Sequence, residues 1–513
     1  MQSAPLKGLT LMIATICLSL ATFMQILDTS IANVAIPYIA GDLGVSTNQG
    51  TWVITSFAVG SAISLPLTGE ITRRLGAVKT IVLAVILFTL LSWLCGFAPT
   101  FPFLVTCRFF QGVVSGPLIP LAQALLMLIY PKEKTTFALS IFTMIAVVGP
   151  ILGPILGGWF TENYTWHWIF YINIPFGIIS ALGCSRALKN FETPKIINPF
   201  DYWGLALLIL SVGSLQIMLD KGEQLDWFGS SIIIFLCVIS SISFVFLLIR
   251  EWFHDKPLLE LSLFKNRNFA LGTFITSLSY MCFFGAVVIT PLWLQTQMGY
   301  TALSAGLAVA PMGIIPVFFS MLLPKLLSTF NIRWIILTCF LMLGAVYLLF
   351  AHLATNVSFA EVATLRLLFG IPLAIYFTPL VKLTMSQIPP EKFSSAAGIF
   401  NFCRIFMGGA GTSIFVYLWD RRAAIHHAKL VEHLVPNDLG ADTLMKPIEA
   451  LGLGQEASFE IANQIVDQQA FMLASNDVFF FAATLCLLLT PLVFLCNTKS
   501  PKDEKNKTVT IAD

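Results

Sequence analysis

Apolar residues occur along this chain in long runs rather than in the alternating patterns of a water-soluble protein. About fourteen such runs can be counted, and each is long enough to cross roughly 30 Å of hydrocarbon as an α-helix. The pattern predicts an all-α polytopic membrane protein. The runs lie near residues 9–36, 50–69, 79–98, 103–130, 136–160, 166–187, 202–219, 230–250, 269–292, 303–323, 334–353, 359–381, 396–419 and 476–496.

The composition agrees with a membrane location. The 513 residues are 57% hydrophobic and 11% charged, whereas a soluble globular protein is about one quarter charged. A chain this poor in charge could not cover a water-facing surface of its size, and a net charge of +2 gives no reason to expect a nucleic-acid partner. The first run has only Lys7 before it and lacks a cleavage-site pattern, so we expect a retained helix.

The distribution of Lys and Arg predicts the orientation. If the N-terminus is cytoplasmic, most of the 29 Lys and Arg residues fall on the cytoplasmic side. The positive-inside rule then predicts that both termini are cytoplasmic. Few basic residues are left for the outer side: Lys221, Arg421, Arg422, Lys429 and Lys446.

Two parts of the sequence resemble each other at a fixed offset. Pro131 corresponds to Pro389, and Arg108 corresponds to Arg366 at the same offset. Parallel repeats of this kind are a design of secondary transporters, with the substrate site between the halves near the midplane. We therefore predict an N-terminal six-helix half at 1–190 and two inserted helices at 191–265. A C-terminal six-helix half follows at 266–513 and contains a long outer loop at 420–475.

Ionisable residues inside a membrane are costly, so each is a candidate functional residue. Asp28 is the only acidic residue well inside a run of the first half, in the stretch LDTSIANVAIP. Helical spacing is expected to place it on one stripe with Gln25, Thr29 and Asn33. We interpret Asp28 as a group that carries a proton. The alternative is a hydrated residue near the outer interface, or a tie between helices.

The fourth run supplies a counter-charge. Arg108 cannot lose its proton, so it must contact a carboxylate, a carbonyl or water. Arg366 and Arg404 in the second half also need such a partner, and Asn401 lies near Arg404 on its helix. A structural clamp is the alternative role for these two arginines. On the fourth run, the residues that share the face of Arg108 are Gln111, Gly112, Ser115 and Gln123.

The fifth run ends in the sequence GPILGPILGGW. Glycines four residues apart lie on one face of a helix and let another helix approach closely. Prolines remove backbone hydrogen bonds and permit bending. We expect either a tight helix crossing or a hinge where the halves rock, formed by Gly149, Pro150, Gly153, Pro154, Gly157 and Gly158.

Taken together, these motifs resemble the major facilitator superfamily over almost the full length of the chain. The stretches that carry the resemblance are LDTSIANVAIP, RFFQG at 108–112, the Gly/Pro series, and WHWIFYINIPFG at 166–177. The last of them is interpreted as a family boundary element. The chain is most similar to the fourteen-helix drug:proton antiporters and, through WDRRAAIHHAKL at 419–430, to the EmrB-type subunits of tripartite efflux pumps.

The sequence departs from the family pattern at one place. The loop between the second and third helices usually runs G-x-L-A-D-R-x-G-R-K, with an acidic fifth residue. Here it reads GEITRRLGAVK at 69–79, with Arg73 in the acidic position and Arg74 after it. The ion pair of the inner gate is therefore expected to be lost, unless Glu70 replaces the missing acid.

The resemblance implies a transporter rather than an enzyme, one that exchanges an incoming proton for an outgoing amphipathic toxic compound across the bacterial inner membrane. Asp28 and Arg108 would couple the proton, and the Gly/Pro series with Arg73 and Arg74 would form the hinge and gate. No cofactor or metal is expected, and no phosphate-binding loop pattern indicates ATP drive. The implied partners are a periplasmic adaptor and an outer-membrane channel. The cavity is expected to be lined by Gln25, Asn33, Gln111, Ser115, Gln123, Asn401 and Arg404.

The segment between the last two runs contains apolar residues at helical spacing, so part of it is predicted to be an amphipathic helix. Such a helix would pack on its own protein or face the adaptor. We interpret the nearby His426, His427 and His433 as surface residues rather than metal ligands. The apolar positions are Phe459, Ala462, Ile465 or Val466, Ala470 and Leu473.

Two other interpretations stay open at this point. One is a proton-coupled importer, or an exporter of fatty acids or lipids, on the same fold. The other is a membrane sensor or scaffold that transports nothing. The repeat and the buried charges favour transport, because a scaffold has no need of Asp28 and three arginines inside the membrane. The preference for export over import rests mainly on the Gly/Pro series, and therefore on the resemblance to the family.

Overall fold

The computed structural model describes residues 6–131, 134–193, 195, 201–222, 225–254, 257–319, 322–389, 392–432, 439–450 and 454–497. Regular structure in these ranges consists of α-helices and short 3-10 turns. Among the described residues, thirteen helices are long and apolar enough to cross a membrane. A further helix of 29 residues, Thr135–Asn163, occupies the fifth predicted run. The chain is therefore a multi-pass membrane protein, as the runs predict.

We number the long helices in chain order, and a helix with a short break keeps one number. The first six are α1 Gly8–Asp42, α2 Trp52–Leu75, α3 Ala77–Gly96, α4 Phe101–Ser115 with Leu118–Ile129, α5 Thr135–Asn163, and α6 Trp168–Tyr171 with Asn173–Ala187. Two helices follow them, α7 Tyr202–Lys221 and α8 Ser231–Phe253. The last six are α9 Arg267–Thr296, α10 Ala302–Val309 with Ile314–Phe319, α11 Ile332–Phe350, α12 Phe359–Ala374 with Phe377–Met385, α13 Phe393–Glu432, and α14 Gln455–Leu489.

Polar side chains fix the beginnings of several helices. At the start of α12, Ser358 and Glu361 form a reciprocal capping box. At the start of α11, the Asn331 side chain accepts a hydrogen bond from the backbone N–H of Arg333. Such caps satisfy N–H groups that have no partner within the helix. They explain why these helices start where the apolar runs begin.

Proline explains the breaks inside two predicted runs. The α4 helix is interrupted at 116–117, because Pro117 has no N–H to continue the helical ladder. The α10 helix contains a 3-10 turn, Ala310–Gly313, which includes Pro311. The predicted runs 103–130 and 303–323 are therefore candidate membrane spans, each formed by a helix that is interrupted near its middle.

The apolar side chains form separate cores. In the first six helices, one core surrounds the fully buried Phe88 of α3. In the last six helices, another surrounds Trp293 of α9. A further cluster joins the inserted α7 to both sets, because Leu208 packs with Ala62 of α2 and Phe400 of α13. The inserted α7 thus lies against α2 and α13, and α8 packs against α7.

Both ends of the described chain lie on one side of the bundle, which we call the terminal side. Asn268 at the start of α9 donates to the backbone carbonyl of Asn497, after α14, at 2.6 Å. The backbone N–H of Leu6 donates to the carbonyl of Ile129, at the end of α4, at 3.1 Å. A cavity of about 1040 Å³ opens on this side, between the ends of α2, α4 and α8 and the start of α13.

On the opposite side, called the far side, the two sets of six helices touch through α5 and α10. The backbone N–H of Leu303 donates a hydrogen bond of 2.7 Å to the Glu162 carboxylate. A methyl group built on Gly306 would lie 2.4 Å from the carbonyl oxygen of Pro154. The two helix backbones are therefore in direct contact on the far side.

Candidate functional site

A buried ion pair joins α1 to α4 in the first half. Arg108 donates a hydrogen bond from Nη1 to Oδ2 of Asp28, and both side chains are fully buried. Arg108 also donates from Nε to the backbone carbonyl of Val53, at 3.0 Å. The guanidinium lies over the ring of Phe57, 4.5 Å from its centroid. The structure therefore brings together the acid and the base that the sequence selects separately.

Two side-chain amides complete the surroundings of the acid. Asn173 of α6 donates to Asp28 Oδ1 at 2.8 Å, and Gln111 of α4 donates to the same oxygen at 3.3 Å. Gln111 in turn accepts from Arg108 at 2.9 Å. Asn173 also donates to Ser92 Oγ of α3 at 2.9 Å. The carboxylate thus receives hydrogen bonds from two different helices besides its own.

Asn173 and Ser92 are the residues of this site that the sequence analysis missed. Asn173 lies in WHWIFYINIPFG, which we interpret as a boundary element, and its direct bond to Asp28 adds a contact with the site that this interpretation does not include. A polar amide inside an apolar run was the available signal. It was weak, because a neutral amide can be satisfied in many ways and needs no counter-charge.

A central cavity of about 250 Å³ lies between the two halves and is lined by residues of α1, α2, α4, α5, α9, α10, α12 and α13. Gln25, Thr29 and Asn33 line it, as expected for one stripe of α1. Asp28 does not line it, since its carboxylate points to α4 and α6 instead. The predicted single stripe is therefore wrong. Arg108 bridges the two environments, because it bonds to Asp28 and also lines the cavity.

The other residues predicted to line the cavity lie in several places. Ser115 is fully buried and donates to the carbonyl of Gly112 in its own helix, at 2.7 Å. Gln123 lines the larger cavity on the terminal side. Asn401 donates to the carbonyl of Ala397 at 2.9 Å. Gln111 belongs to the Asp28 site, so none of these four residues lines the central cavity itself.

Arg404 does line the central cavity. It donates from Nη2 to Oδ1 of Asn401, at 2.9 Å. Its guanidinium carbon lies 4.6 Å from the centroid of Tyr280 and 4.8 Å from that of Phe377. A cation held between aromatic rings is stabilised by their negative faces. The side chain is therefore fixed at the cavity wall by an amide and two rings.

The arginine that matches Arg108 in the second half has a different environment. Arg366 donates to the backbone carbonyl of Ala286, at 3.2 Å, and to the hydroxyl of Thr290. The offset that relates Arg108 to Arg366 also relates Asp28 to Ala286. The second half thus has an alanine where the first half has its acid, and a carbonyl and a hydroxyl serve as acceptors instead.

Comparisons with known proteins agree with this architecture. Residues 18–412 match the family model described as Major Facilitator Superfamily. The chain belongs to the major facilitator superfamily. It is therefore a membrane transporter, and the predicted fold of two six-helix halves with two inserted helices is confirmed.

Two relatives and one solved structure show the extent of the similarity. The chain is 44% identical to the Multidrug export protein EmrB of Escherichia coli K12, over 96% of both chains. It is 42% identical to the Fatty acid resistance protein FarB of Neisseria gonorrhoeae, over 96% of this chain and 98% of that protein. A crystal structure of the peptide transporter POT in complex with sulfate has a TM-score of 0.60 at 14% identity, over 96% of this chain and 98% of that chain. The last similarity concerns the fold alone.

In this member of the superfamily, the glycines of α5 pack against α1. A methyl group built on Gly149 would lie 2.6 Å from Cγ2 of Ile26, and one on Gly153 would lie 2.5 Å from Cβ of Ser30. Gly157 follows at the next turn and faces the Ile31 carbonyl.

The two remaining described positions of this series face the second half. Gly158 approaches the backbone of Leu303 in α10, and Pro154 approaches Gly306. Pro150 belongs to α5, and its side chain lies outside the described part of the structure. The series is therefore a contact surface both within the first half and between the halves.

The altered loop between α2 and α3 has its acidic residue in the helix before it. Glu70 accepts from Arg73 at 2.9 Å and from Arg74 at 2.7 Å. All three residues belong to α2. These ion pairs therefore lie within one helix. Among the described residues, Glu70 forms no ion pair that connects the two halves.

On the far side, α13 and α14 extend beyond the length that a membrane requires. The 40 residues of α13 correspond to about 60 Å of helix, against roughly 30 Å of hydrocarbon. Much of the predicted outer loop at 420–475 is therefore helix. Asp477 of α14 accepts from Arg422 of α13 at 2.5 Å and contacts His426 at 2.7 Å. His427 contacts Asn463 at 3.1 Å, and His433 lies outside the described residues.

The predicted amphipathic stripe in this segment is correct only in part. Ala462, Val466 and Ala470 are buried along one face of α14. In contrast, the side chains of Phe459 and Leu473 are 55% and 38% exposed. The buried residues recur every four positions, so a narrow stripe of small side chains packs inward. The two larger residues lie beside that stripe.

Proposed function

We propose that the chain is a proton-coupled antiporter that exports hydrophobic or amphipathic toxic compounds. The observation that carries this proposal is a fully buried carboxylate, Asp28, bonded to an arginine that also lines the central cavity between the halves. A charge in this position is costly. It has an evident use if it takes up and releases a proton during transport.

The proton step follows from the geometry of the pair. While Arg108 donates to Asp28, the two charges compensate each other. If the guanidinium turns toward the cavity, the carboxylate is left without its counter-charge, and proton uptake neutralises it. Because Arg108 already lines the cavity, an entering substrate can promote this separation. One proton that moves inward through about 150 mV releases about 3.5 kcal/mol, enough for a substrate gradient of roughly a few hundred-fold.

Alternating access is assigned to the contacts of α5. Glycines and helix backbones meet directly where α5 crosses α1 and α10, and such surfaces slide without side chains that interlock. Rocking about this contact would open the far side while the terminal cavity closes. We propose that Arg73 and Arg74 belong to the gate on the terminal side, at the end of α2 that lines the cavity there.

We assign the terminal side to the cytoplasm and the far side to the periplasm of a bacterial inner membrane. The support is the excess of Lys and Arg in segments on the terminal side. On this assignment, the extension of α13 and α14 projects into the periplasm. We propose that it contacts a membrane-fusion adaptor that leads to an outer-membrane channel, in agreement with the resemblance to EmrB-type subunits.

An exporter of fatty acids or lipids is the second candidate function. One relative of comparable identity is named as a fatty acid resistance protein, and the wall of the central cavity is largely apolar. This candidate uses the same proton site and the same direction of transport. It differs in the chemistry of the substrate alone.

Accumulation of an amphipathic fluorescent dye in a host that lacks its own pumps tests the proposal. Expression of the chain should lower dye accumulation, and an uncoupler should restore it. The vector without the gene is the control. Unchanged accumulation of every dye and fatty acid tested contradicts export, and export that persists with the uncoupler contradicts proton coupling.

A further inference from the structure

The central cavity contains a positive charge that has no counter-ion among the described residues. Among the described residues, the charged side chains that line it are Arg108 and Arg404. Arg108 is compensated by Asp28. Arg404 forms no ion pair within the described residues, and its Nε has no hydrogen-bond partner there. Burying a charge without a counter-ion is costly, and a guanidinium does not become neutral by losing its proton. The cavity as described therefore carries a net positive charge.

The neighbours of Arg404 hold it without neutralising it. The residue is only 7% exposed, and one of its donors binds the neutral amide of Asn401. The contacts with Tyr280 and Phe377 involve ring faces, and they use none of the N–H donors. A buried guanidinium that is held in place, and that has an N–H donor without a partner among the described residues, matches the geometry of a carboxylate or another planar anion.

A second buried polar group in the same cavity also lacks a partner in the described part of the chain. Gln25 is 4% exposed and lines the cavity, and its Oε1 atom forms no hydrogen bond with the described residues. A side-chain amide can present either its oxygen or its NH₂ group by rotating. The remaining surface is largely apolar and includes Phe283, Phe284 and Val287. The cavity thus combines a cationic point with an aromatic and aliphatic wall.

We propose that the central cavity selects amphipathic anions, with Arg404 as the residue that binds the anionic head group. Gln25 provides a neutral hydrogen bond, and the aromatic wall takes the apolar tail. The inference rests on the proposed function, because it treats this cavity as the substrate site of the exporter. It adds the charge of the preferred substrate and the residue that determines it.

Equilibrium binding to the full chain in lipid nanodiscs tests this inference, with binding to empty nanodiscs subtracted. The probes are decanoate and decyltrimethylammonium, which share their alkyl chain and differ in the sign of their charge. Wild type should bind decanoate more tightly than the cation. Arg404→Gln should lose about ten-fold or more in affinity for decanoate and keep its affinity for the cation. Arg404→Lys keeps the charge but loses the planar fork, so its loss should be smaller.

Arg422→Gln is the matched control, because it removes the same charge from the far-side extension, outside the cavity. It should leave decanoate binding unchanged. Wild-type affinity for decanoate in Arg404→Gln overturns the inference, and so does an equal loss for both probes, which would indicate a structural role. If Arg404→Gln does not insert into the membrane, the test rests on the wild type alone. Tighter binding of decyltrimethylammonium than of decanoate by the wild type contradicts the inference.

The same measurement separates this inference from the proposed function. Binding is measured without a proton gradient, so it does not depend on coupling. Proton-driven export of dyes together with no preference for decanoate overturns the anion site alone. A preference for decanoate in a chain that exports nothing supports the anion site and overturns the exporter.

Discussion

Asn173 donates its side-chain amide both to Asp28 Oδ1, at 2.8 Å, and to Ser92 Oγ, at 2.9 Å. These bonds connect α6 to α1 and α3 inside the first half. Together with Arg108 and Gln111, they supply three donors to one buried carboxylate. A carboxylate with several charge-assisted hydrogen bonds is held in one geometry. The proposed proton site is therefore preorganised by α4 and α6, and α3 holds Asn173 in place through Ser92.

Asn173→Ala should remain inserted but transport poorly. Loss of a hydrogen bond to a buried charged group costs roughly 1–3 kcal/mol, so we expect about a ten-fold loss of transport and a shifted pH profile. Ser92→Ala is the control, because it removes a partner of Asn173 and leaves the bond to Asp28. The measurement is proton-driven uptake into inverted vesicles across a range of pH. A wild-type pH profile for Asn173→Ala would show that this amide is a packing residue.

Arg108→Ala should abolish transport while membrane insertion persists. The substitution leaves the buried carboxylate of Asp28 without its counter-charge, so we expect Asp28 to stay protonated throughout the cycle. Arg108→Lys keeps the positive charge but cannot reach Asp28, Gln111 and the Val53 carbonyl together, as the guanidinium does. It should retain partial activity at most. Full activity of Arg108→Ala would show that the ion pair between Asp28 and Arg108 is not needed for transport.

Gly153→Leu should insert but be inactive, or leak protons without substrate. The first side-chain carbon would lie 2.5 Å from Ser30 Cβ and 3.0 Å from the backbone nitrogen of Ile31. Gly153→Ala should be milder, yet it still requires α1 and α5 to shift slightly. Gly213→Leu in α7 is the control, because no atom of the described residues lies within 4 Å of a carbon built there. Transport and proton leak measured side by side distinguish these outcomes, and a fully active Gly153→Leu contradicts the sliding contact.

Asp201→Asn should destabilise the hairpin of α7 and α8 at neutral pH. Burial alone would raise the pKa of the Asp201 carboxyl, but the hydrogen bonds from Arg250 and from the backbone N–H of Gly204 outweigh burial and hold this pKa below its ordinary value. The charged form therefore contributes stability above the unfolded pKa of about 3.9. That contribution is lost as the pH falls through the lower, folded pKa.

Thermal unfolding of the purified chain between pH 7 and pH 3 tests this linkage. The expected difference between wild type and Asp201→Asn is about 0.5–1 kcal/mol at pH 7, because Asn can still cap the helix and only the ion pair with the partly exposed Arg250 is lost. It should shrink toward zero in acid. A difference that stays constant over this range would mean that Asp201 acts through shape rather than charge.

The sequence predicts the pairing of Asp28 with Arg108 for a simple physical reason. A buried charge must find a partner, and each half of the chain offers few candidates. The same reasoning does not identify Asn173, because a neutral amide needs no partner of opposite charge. The length of each transmembrane run is also predictable, since a fixed thickness of hydrocarbon sets it.

The direction in which each side chain points is less predictable from the sequence than the partner with which a buried charge pairs. Helical spacing grouped Asp28 with Gln25 and Asn33, yet the acid faces α4 and α6 while the other two face the cavity. A helix in the middle of a bundle has a different neighbour on each face, and spacing alone does not say which neighbour is polar. The amphipathic pattern predicted part of the extension of α14, but the extension of α13 to Glu432 was missed for a related reason. Their polar residues stay helical because the two helices pair, as the bond between Arg422 and Asp477 shows.

The most direct test of the central claim is proton-driven transport by Asp28→Asn in proteoliposomes with an imposed pH gradient. Asparagine keeps the size of the side chain but cannot carry the exchanged proton. Asp42→Asn is the matched control, because Asp42 lies at the end of the same helix and accepts from Trp166 Nε1 at 2.7 Å. The account predicts that Asp42→Asn transports normally and that Asp28→Asn neither exports substrate nor moves protons. Wild-type transport by Asp28→Asn, with its normal dependence on the gradient, would contradict the account.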